Sequence, residues 1–430
     1  MKKILVVLAV LSLFASMAMA SETRIEGLGL NSDFVDGPGI YFGPNSWMIS
    51  DASNVNLFPA TILKYPKLAV FEYNGSDLNS YVNMKLFGGV LGLYTNTNTN
   101  IYLLENSVNS GVLYGRNLSD IMSIAVGVTY QQYLDKQVEN STEVPVSNNK
   151  DIYVNEFSNA IGINLGLSLL GDIPMDFGLS VAIPLLVNNE DTYFDTAGVK
   201  TVLELTKDSG IQAKLRGKAT LGDMAVDLGV QLYTDKYEDI SQHFTSTGAL
   251  SYDWYRTNYY QSIMVQLGTV KTIKLDKTTI FAGTQLEMAF TNNYWANGYD
   301  KTIQIKTDST EYYDGLWINV PLIIGAETKI NDNWTLRAGA RKAMWNNDTY
   351  KNFYKNADGK ITSSGDTYTQ SNTNDLNVNF GATFEISAFS IDFLVNKDLI
   401  LNGPEFISGR GAYGDNTTPW ASKIALNFKW

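Results

Sequence analysis

The sequence predicts an all-β protein, a transmembrane antiparallel β-barrel of about 14 strands. Three observations support this fold class: an export signal, recurrent period-two alternation of apolar and polar residues, and a final strand that ends in an aromatic residue. The chain holds 25 Tyr, 19 Phe, 8 Trp and 35 Gly, and its mean hydropathy is -0.11. This composition is too polar for a helical membrane protein, whereas barrels combine a lipid face, a polar lumen and aromatic girdles.

Residues 1–20 have the layout of a secretory signal peptide. Lys2 and Lys3 precede an apolar run that ends at Phe14, and Ala18-Met19-Ala20 forms a small-residue cleavage site. The apolar run is too short to span a bilayer, so a retained anchor is the weaker alternative. We therefore expect an exported chain in the outer membrane of a Gram-negative bacterium.

Charge and cysteine content exclude two classes of protein. Removing the two signal lysines takes the formal charge from -12 to -14, which argues against a nucleic-acid partner. The absence of cysteine excludes a disulfide framework, so closure of the sheet must supply the stability.

Period-two alternation is clearest at 316–327, 376–386 and 424–430. In the last of these runs, apolar residues alternate with Ala425, Asn427 and Lys429. Many runs are roughly 10 to 14 residues long, which suits strands that cross a bilayer at a tilt. A soluble β-sandwich is the alternative, but its strands average about five or six residues.

The runs give fourteen candidate strands, an even number as expected of bacterial barrels. The segment 67–73 is a further candidate that would make the number odd. The fourteen lie at 81–94, 108–117, 122–133, 155–170, 174–184, 211–221, 224–234, 256–270, 279–291, 316–328, 333–345, 376–387, 389–396 and 422–430.

The connections alternate in length, which predicts the orientation, with short turns in the periplasm and long loops outside. Short turns are predicted at 118–121, 171–172, 222–223, 331–333 and 387–388. Long polar loops are predicted at 134–154, 185–210, 235–255, 292–315, 346–375 and 397–421. The loop 346–375 is interpreted as a solvated loop, with a receptor or phage-binding surface as the alternative.

The last strand resembles the C-terminal signal that the outer-membrane insertion machinery recognises in its clients. Strict alternation leads through Phe428 to Trp430, where the family usually ends in Phe. The resemblance implies this machinery as a partner, together with outer-membrane lipid and lipopolysaccharide.

Residues 21–66 are predicted to form a hatch inside the barrel. The segment is punctuated by Gly and Pro and has no long alternating run, so it is not a strand. Its apolar residues, among them Phe34, Phe42, Trp47 and Phe58, argue against disorder. A lumen of about fourteen strands is too wide for side chains alone to fill, so a plug is a natural occupant. A periplasmic tail is the alternative.

The stretch Asp51-Ala52-Ser53-Asn54-Val55-Asn56-Leu57-Phe58-Pro59-Ala60 resembles the Asp-Ala-x-x-x-x-x-Asn-Pro-Ala segment of FadL-type long-chain fatty-acid transporters. PorV-type barrels of type IX secretion have a related stretch. Phe58 replaces the family's Asn. The resemblance implies a hatch just before the first barrel strand, with Asp51, Asn56, Phe58, Pro59 and Ala60 within it.

Charged residues on the non-lipid face are the candidate lining of the solute pathway. A charge that faces lipid near the midplane would cost about 2–4 kcal/mol, so these residues must point inward. A two-residue turn at Gly222-Asp223 would set Lys218 opposite Asp227, and Glu327 is expected diagonally close to Arg337. The candidates are Lys214, Arg216, Lys218, Asp227, Glu287, Glu327, Arg337, Arg341 and Glu385.

These charges have two interpretations. They either form an ion-paired wall that supports the barrel, or they contact a permeating solute. Lys218, Arg337 and Arg341 are also expected to meet the hatch acids Asp33, Asp36 and Asp51.

Catalysis and cofactor binding are not predicted. His243 is the only histidine and lies in a predicted loop with Asp239, Ser241 and Ser246, so a Ser/His/Asp site is the enzyme alternative. Without cysteine, and with one histidine, a zinc site of the usual type cannot form. The oxygen-bearing residues Asn188, Asn189, Glu190, Asp191 and Asp195 are interpreted as a solvated acidic loop, with calcium binding as the alternative.

The sequence thus predicts a signal peptide (1–20), a hatch (21–66) and a barrel (67–430). The predicted function is a porin-like, passive channel for small solutes, hydrophobic ones included. The alternatives are a non-transporting partner barrel, such as a secretion-associated shuttle or surface receptor, and a surface hydrolase that uses His243.

Overall fold

A computed structural model describes most of the chain from residue 22 onward. The predicted signal peptide lies outside the described residues, as do Phe34 and Phe42 of the predicted hatch. The described residues are 22–28, 30, 46–49, 51–73, 77–100, 105–140, 149–195, 200–245, 247, 250–296, 299–300, 305–306, 310–355, 361–371, 376–395 and 421–430.

Three short helices precede the sheet: the α-helix α1 (Glu22–Gly27) and the 3-10 helices η1 (Ala52–Asn56) and η2 (Pro59–Lys64). No helix in the described ranges is long and apolar enough to cross a membrane. The strands are β1 (Leu68–Tyr73), β2 (Asp77–Leu86), β3 (Gly89–Asn100), β4 (Glu105–Ser119), β5 (Met122–Asn140), β6 (Asn149–Leu170), β7 (Pro174–Asp195), β8 (Lys200–Leu221), β9 (Met224–Phe244), β10 (Leu250–Lys274), β11 (Thr278–Ala296), β12 (Tyr299–Asp300), β13 (Ile305–Lys306), β14 (Thr310–Lys329), β15 (Trp334–Lys355), β16 (Ile361–Ser371), β17 (Leu376–Ile386), β18 (Phe389–Val395) and β19 (Ala421–Lys429).

The strands form one closed antiparallel barrel. Each wall strand pairs with its neighbour in the chain, and β1 pairs with β19 from Leu68↔Lys429 to Tyr73↔Ile424, which closes the sheet. The two-residue strands β12 and β13 extend one connection, and β16 and β17 pair in succession with β15. The wall therefore has 16 strands.

The prediction of 14 strands was wrong for two local reasons. The candidate 67–73 is a wall strand, β1, and the run 81–94 is two strands, β2 and β3. Those two strands meet in a two-residue turn at Phe87 and Gly88, whose φ angles are 51° and 74°. Such turns usually contain Asn-Gly or Asp-Gly. Phe87 conceals the turn because it continues the apolar alternation.

The predicted long loops are mostly strand. β9 continues to Phe244 and β10 begins at Leu250, so most of the predicted loop 235–255 belongs to the sheet. The same correction applies to 134–154, 185–210, 292–315 and 346–375, whereas 397–420 lies outside the described residues. β10 has 25 residues, but a bilayer crossing needs only about 9–11. The alternation of apolar residues predicts only the part of a strand that crosses the bilayer. It gives no information on the polar part of the strand beyond it.

Side chains on the two faces of the wall differ in the predicted sense. Leu215, Leu228 and Leu267 are exposed on the outer face, while Arg216 and Asp227, which adjoin the first two along the chain, are buried on the inner face. The final strand follows the same rule, with Lys423, Ala425 and Asn427 buried inside. This inversion, apolar outside and polar inside, is that of a lipid-facing barrel.

Phe380→Arg is expected to destabilise the barrel in a bilayer by about 2–4 kcal/mol, because it directs a charge to the outer face. Asn379→Arg, one residue earlier on the inner face, is the matched control and should be tolerated. Denaturant titrations of both variants in lipid vesicles would measure the difference. Equal losses of stability would contradict the assigned faces of β17.

Candidate functional site

The residues that precede β1 pack against the inner face of the wall. We call the described residues between 22 and 67 the N-terminal segment. Its apolar side chains form a buried cluster with the inward residues Ala225, Val270, Phe281 and Ile323. The segment side chains of this cluster are Ile25, Leu28, Leu30, Trp47, Met48, Ile49 and Phe58.

A second cluster seats the segment on a different part of the wall. Ile62 and Ala60 of η2, with Val55 of η1, pack against Val90 and Leu113, and also against Ala125. η2 contacts strands β3 to β7, whereas α1 contacts β15, β17, β18 and β19. In the 16-stranded ring these two sets of strands are separated by β1 and β2 on one side and by β8 to β11 and β14 on the other.

Glycines of the inner face let the segment approach the wall closely. A methyl group at Gly325 would lie 2.6 Å from the carbonyl oxygen of Leu28, and one at Gly115 would lie 2.6 Å from Cγ2 of Ile62. A methyl group at Gly166, Gly178 or Gly268 would come equally close to Ala60, Leu57 or Trp47, respectively. A side chain at any of these positions would force a local shift of the segment or the wall, so these glycines are required by contact rather than by backbone conformation.

Arg24 joins two parts of the segment to each other and to the wall. Its guanidinium donates from Nη2 to Oε1 of Glu327 at 2.7 Å and from Nε to Oε2 at 3.1 Å, and from Nη1 to Oδ2 of Asp51 at 3.2 Å. Asp51 also accepts from the backbone N–H of Ser53 at 3.0 Å, and so caps η1. One buried arginine therefore joins α1, η1 and β14.

The pKa values of this pair reflect its burial. Burial alone would lower the pKa of Arg24, but the carboxylates of Glu327 and Asp51 outweigh burial and raise it above its ordinary value. Burial raises the pKa of Asp51, while Arg24 and Ser53 act in the opposite direction. Arg24 thus favours the ionised form of Asp51 against the effect of burial.

The network continues along the wall. Glu327 lies directly opposite Arg337 in the β14–β15 register, so the prediction of a diagonal pair was wrong. Arg337 contacts Glu327 at 3.4 Å and Asp392 at 3.1 Å. Asp392 also accepts from Asn427 Nδ2 of the last strand at 2.8 Å.

A second tie joins α1 to the closing strands. The backbone N–H of Thr23 donates to Glu72 of β1 at 2.6 Å, and Lys423 of β19 contacts Glu26 at 3.1 Å and Glu72 at 3.8 Å. The segment is therefore anchored where the barrel closes.

A third polar network lies within the wall. Arg216 contacts Asp227 at 3.5 Å and donates to Gln266, which donates to Gln285 at 2.9 Å. Gln285 donates in turn to Glu287, a carboxylate that also contacts Arg341 at 3.4 Å. The Lys218–Asp227 register predicted from the Gly222-Asp223 turn is confirmed.

Two further predicted residues, Lys214 and Glu385, lie on the inner face of the wall. Lys214 shares the inner face of β8 with Arg216, and Glu385 follows the buried Thr383 on the inner face of β17. The expected contacts of Asp51 with Lys218, Arg337 or Arg341 were wrong, because Arg24 is its partner. Asp33 and Asp36 lie outside the described residues.

A cavity of about 950 Å³ lies between the segment and strands β8 to β11 and β14, at the end of the barrel with the short turns. We call this cavity the vestibule. Its lining consists of Arg24, Met48, Ile49, Lys218, Thr220, Gly222, Asp223, Met224, Ala225, Lys271, Thr272, Ile273, Lys274, Thr279, Phe281 and Glu327. Its volume is within the range of ligand pockets.

The alternatives that rested on loop residues change with the fold. His243 lies in β9, with its backbone opposite Thr201 and Tyr252, so the prediction that it lies in a loop was wrong. Ser246 lies outside the described residues. The five residues 188–191 and 195 lie in β7, and no group of metal-ligating side chains occurs in the described part of the chain.

Arg24, Glu72 and Lys423, on which the anchoring contacts of the segment converge, are absent from the residues predicted from the sequence. Glu72 and Lys423 could have been found, because each lies two residues from a buried inward neighbour, Val70 and Ala425. Arg24 has no comparable signal, since its partner Glu327 is 303 residues away.

No family model matches the sequence, and no curated protein matches it. Among solved structures, the ferric yersiniabactin uptake receptor FyuA from Yersinia pestis is similar at 8% identity and TM-score 0.40, over 85% of this chain and 79% of that one. The toluene transporter TodX from Pseudomonas putida is similar at 11% identity and TM-score 0.40, over 95% and 96%. At these TM-scores, neither likeness adds to the architecture described above.

Proposed function

We propose that this protein is an outer-membrane channel for small solutes, in which the N-terminal segment is a hatch that closes the lumen. The outer apolar face supports insertion in lipid. Barrels of 16 strands are wide enough to leave an aqueous channel unless something occupies them. The packing of the N-terminal segment on inward residues of the wall supports its role as that occupant.

One observation carries the proposal: a single segment contacts the wall around most of its circumference. η2 packs on β3 to β7, and α1 packs on β15, β17, β18 and β19, while Trp47 abuts Gly268 of β10. A periplasmic tail would have no reason to match inward glycines on so many strands. The packing of Phe58, Pro59 and Ala60 against this wall also supports kinship with FadL-type barrels.

A reversible lock would test whether solutes pass when the segment moves. A Cβ at Gly325 would lie 3.4 Å from Cβ of Leu28, close to the spacing of about 3.5–4.5 Å in disulfides. The double variant Leu28→Cys/Gly325→Cys is therefore expected to form a disulfide, with no other cysteine to interfere. Oxidation should stop sugar-driven swelling of proteoliposomes, and reduction should restore it.

The single variant Gly325→Cys is the control, since its new Cβ forces the same shift of the segment at Leu28 as in the double variant but forms no bond. If oxidised and reduced double variants pass sugar equally fast, the segment does not gate the lumen. If both swell no faster than protein-free vesicles while the wild type does the same, the barrel does not transport. The secretion-associated or receptor alternative would then be favoured.

A further inference from the structure

The vestibule has a surplus of positive charge. Four basic residues line it, Arg24, Lys218, Lys271 and Lys274, against two acidic residues, Asp223 and Glu327, a surplus of two. The surplus stands out in a chain whose formal net charge is -12.

Two of these cations are already paired. Arg24 binds Glu327 and Asp51, and Lys271 lies 3.6 Å from Asp223. The surplus therefore resides on Lys218 and Lys274. Neither ammonium has a hydrogen-bond or ion-pair partner among the residues that the structure describes.

Lys218 has acidic neighbours, but each has another partner. In the register of β8, Lys218 lies opposite Asp176 of β7 and Asp227 of β9. Asp176 accepts from Ser168 Oγ at 2.5 Å and contacts Lys64 at 3.4 Å. Asp227 contacts Arg216 at 3.5 Å. Three cations thus share two carboxylates, and the net charge around Lys218 is +1.

The rest of the vestibule adds apolar surface to this charge. Met48 and Ile49 of the segment face Ala225 and Phe281 of the wall across the lining. Pockets of this kind, apolar with a few charged groups, hold small organic molecules and orient them by the charged group.

We propose that the vestibule binds small organic anions with an apolar body, and that Lys218 receives the anionic group. The inference rests on the proposed channel function and assigns a solute class to it. An ammonium without a carboxylate of its own gains a charge-assisted hydrogen bond when an anion arrives. Met48, Ile49 and Phe281 then cover the apolar body of the anion.

Equilibrium dialysis with radiolabelled benzoate and the full-length protein in detergent would test the proposal. Benzyl alcohol, which has the same ring without the charge, is the matched ligand and should bind at least about tenfold more weakly. Lys218→Met should weaken benzoate binding by about tenfold, whereas Lys218→Arg should retain most of it. Lys277→Met, an exposed lysine in the turn after β10 outside the vestibule, should bind like the wild type.

Two results would overturn the inference: equal binding of benzoate and benzyl alcohol by the wild type, or unchanged benzoate binding by Lys218→Met. The first comparison needs no variant, so it decides even if Lys218→Met fails to fold. Equilibrium binding does not require passage through the barrel. If benzoate does not bind preferentially but sugar uptake is normal, the anion proposal fails and the channel proposal stands. If benzoate binds but no sugar is taken up, only the channel proposal fails.

Discussion

Deletion of residues 21–66 is expected to convert a closed barrel into an open, ion-conducting pore. The wall keeps all of its strand pairs, because β1 begins at Leu68 and still pairs with β19. Glu327 and Glu72 lose Arg24 and Thr23 of the segment but keep Arg337 and Lys423 of the wall, and water that enters would solvate their freed oxygens. Sixteen strands without an occupant should then conduct at least about tenfold more than the intact protein, as in porins.

Planar-bilayer recordings of refolded full-length and truncated protein would measure this change. Heat-modifiable mobility in electrophoresis would show that both are folded barrels. A control is Gly171→Ala, in a short turn where a methyl group meets nothing within 4 Å, which should conduct like the wild type. Equal single-channel conductance of truncated and intact barrels would reject the hatch, whatever the fold of residues 21–66.

The sequence was most informative where one face of a strand is apolar. Alternation located the wall strands at the level of the outer apolar face, apart from the division of 81–94 and the omission of β1 from the fourteen, because a charge on that face is costly. It did not locate the polar upper parts of β5 to β15, where neither face needs to be apolar. The two-residue turn at Gly222-Asp223 is predictable from its residue types. The turn at Phe87-Gly88 is not, since phenylalanine is also common in the strands on either side of it.

The interior was predictable only within hairpins. The Lys218–Asp227 pair follows from a turn of known length, and the facing of Arg216 follows from the same register. Arg24 could not be placed in this way. Its contacts depend on the path of an irregular segment, and Glu327 is 303 residues away in the sequence. No periodic pattern in the sequence predicts that path. Trp47 and Phe58 are fully buried in this segment, as their apolar character suggested.

Arg24→Glu is expected to unseat the N-terminal segment while leaving the barrel wall intact. The substitution replaces a buried guanidinium that binds two carboxylates by a third carboxylate beside them. Breaking a buried ion pair typically costs about 3–5 kcal/mol, because a charge is left without compensation. The wall strands β14 and β15 should persist, since Glu327 retains Arg337 as a partner.

The thiol of Trp47→Cys would report the seating, because Trp47 is fully buried against the wall and the chain has no other cysteine. In the Trp47→Cys background alone, a bulky thiol reagent should label slowly. With Arg24→Glu added, labelling should accelerate by at least about a hundredfold, which corresponds to a loss of 2.7 kcal/mol or more. Arg24→Lys should fall between the two, since lysine keeps the charge but loses the two-pronged contact with Glu327.

Lys64→Glu is the matched control for charge reversal on the same segment. Lys64 contacts Asp176 at 3.4 Å, but its side chain is 43% exposed, and exposed ion pairs contribute at most about 1 kcal/mol. Lys64→Glu should therefore accelerate labelling far less than Arg24→Glu. If the two reversals act equally, general charge rather than the buried Arg24 contact holds the segment. If Arg24→Glu labels as slowly as its parent, apolar packing against the glycines of the inner face is sufficient, and the ionic contact is dispensable.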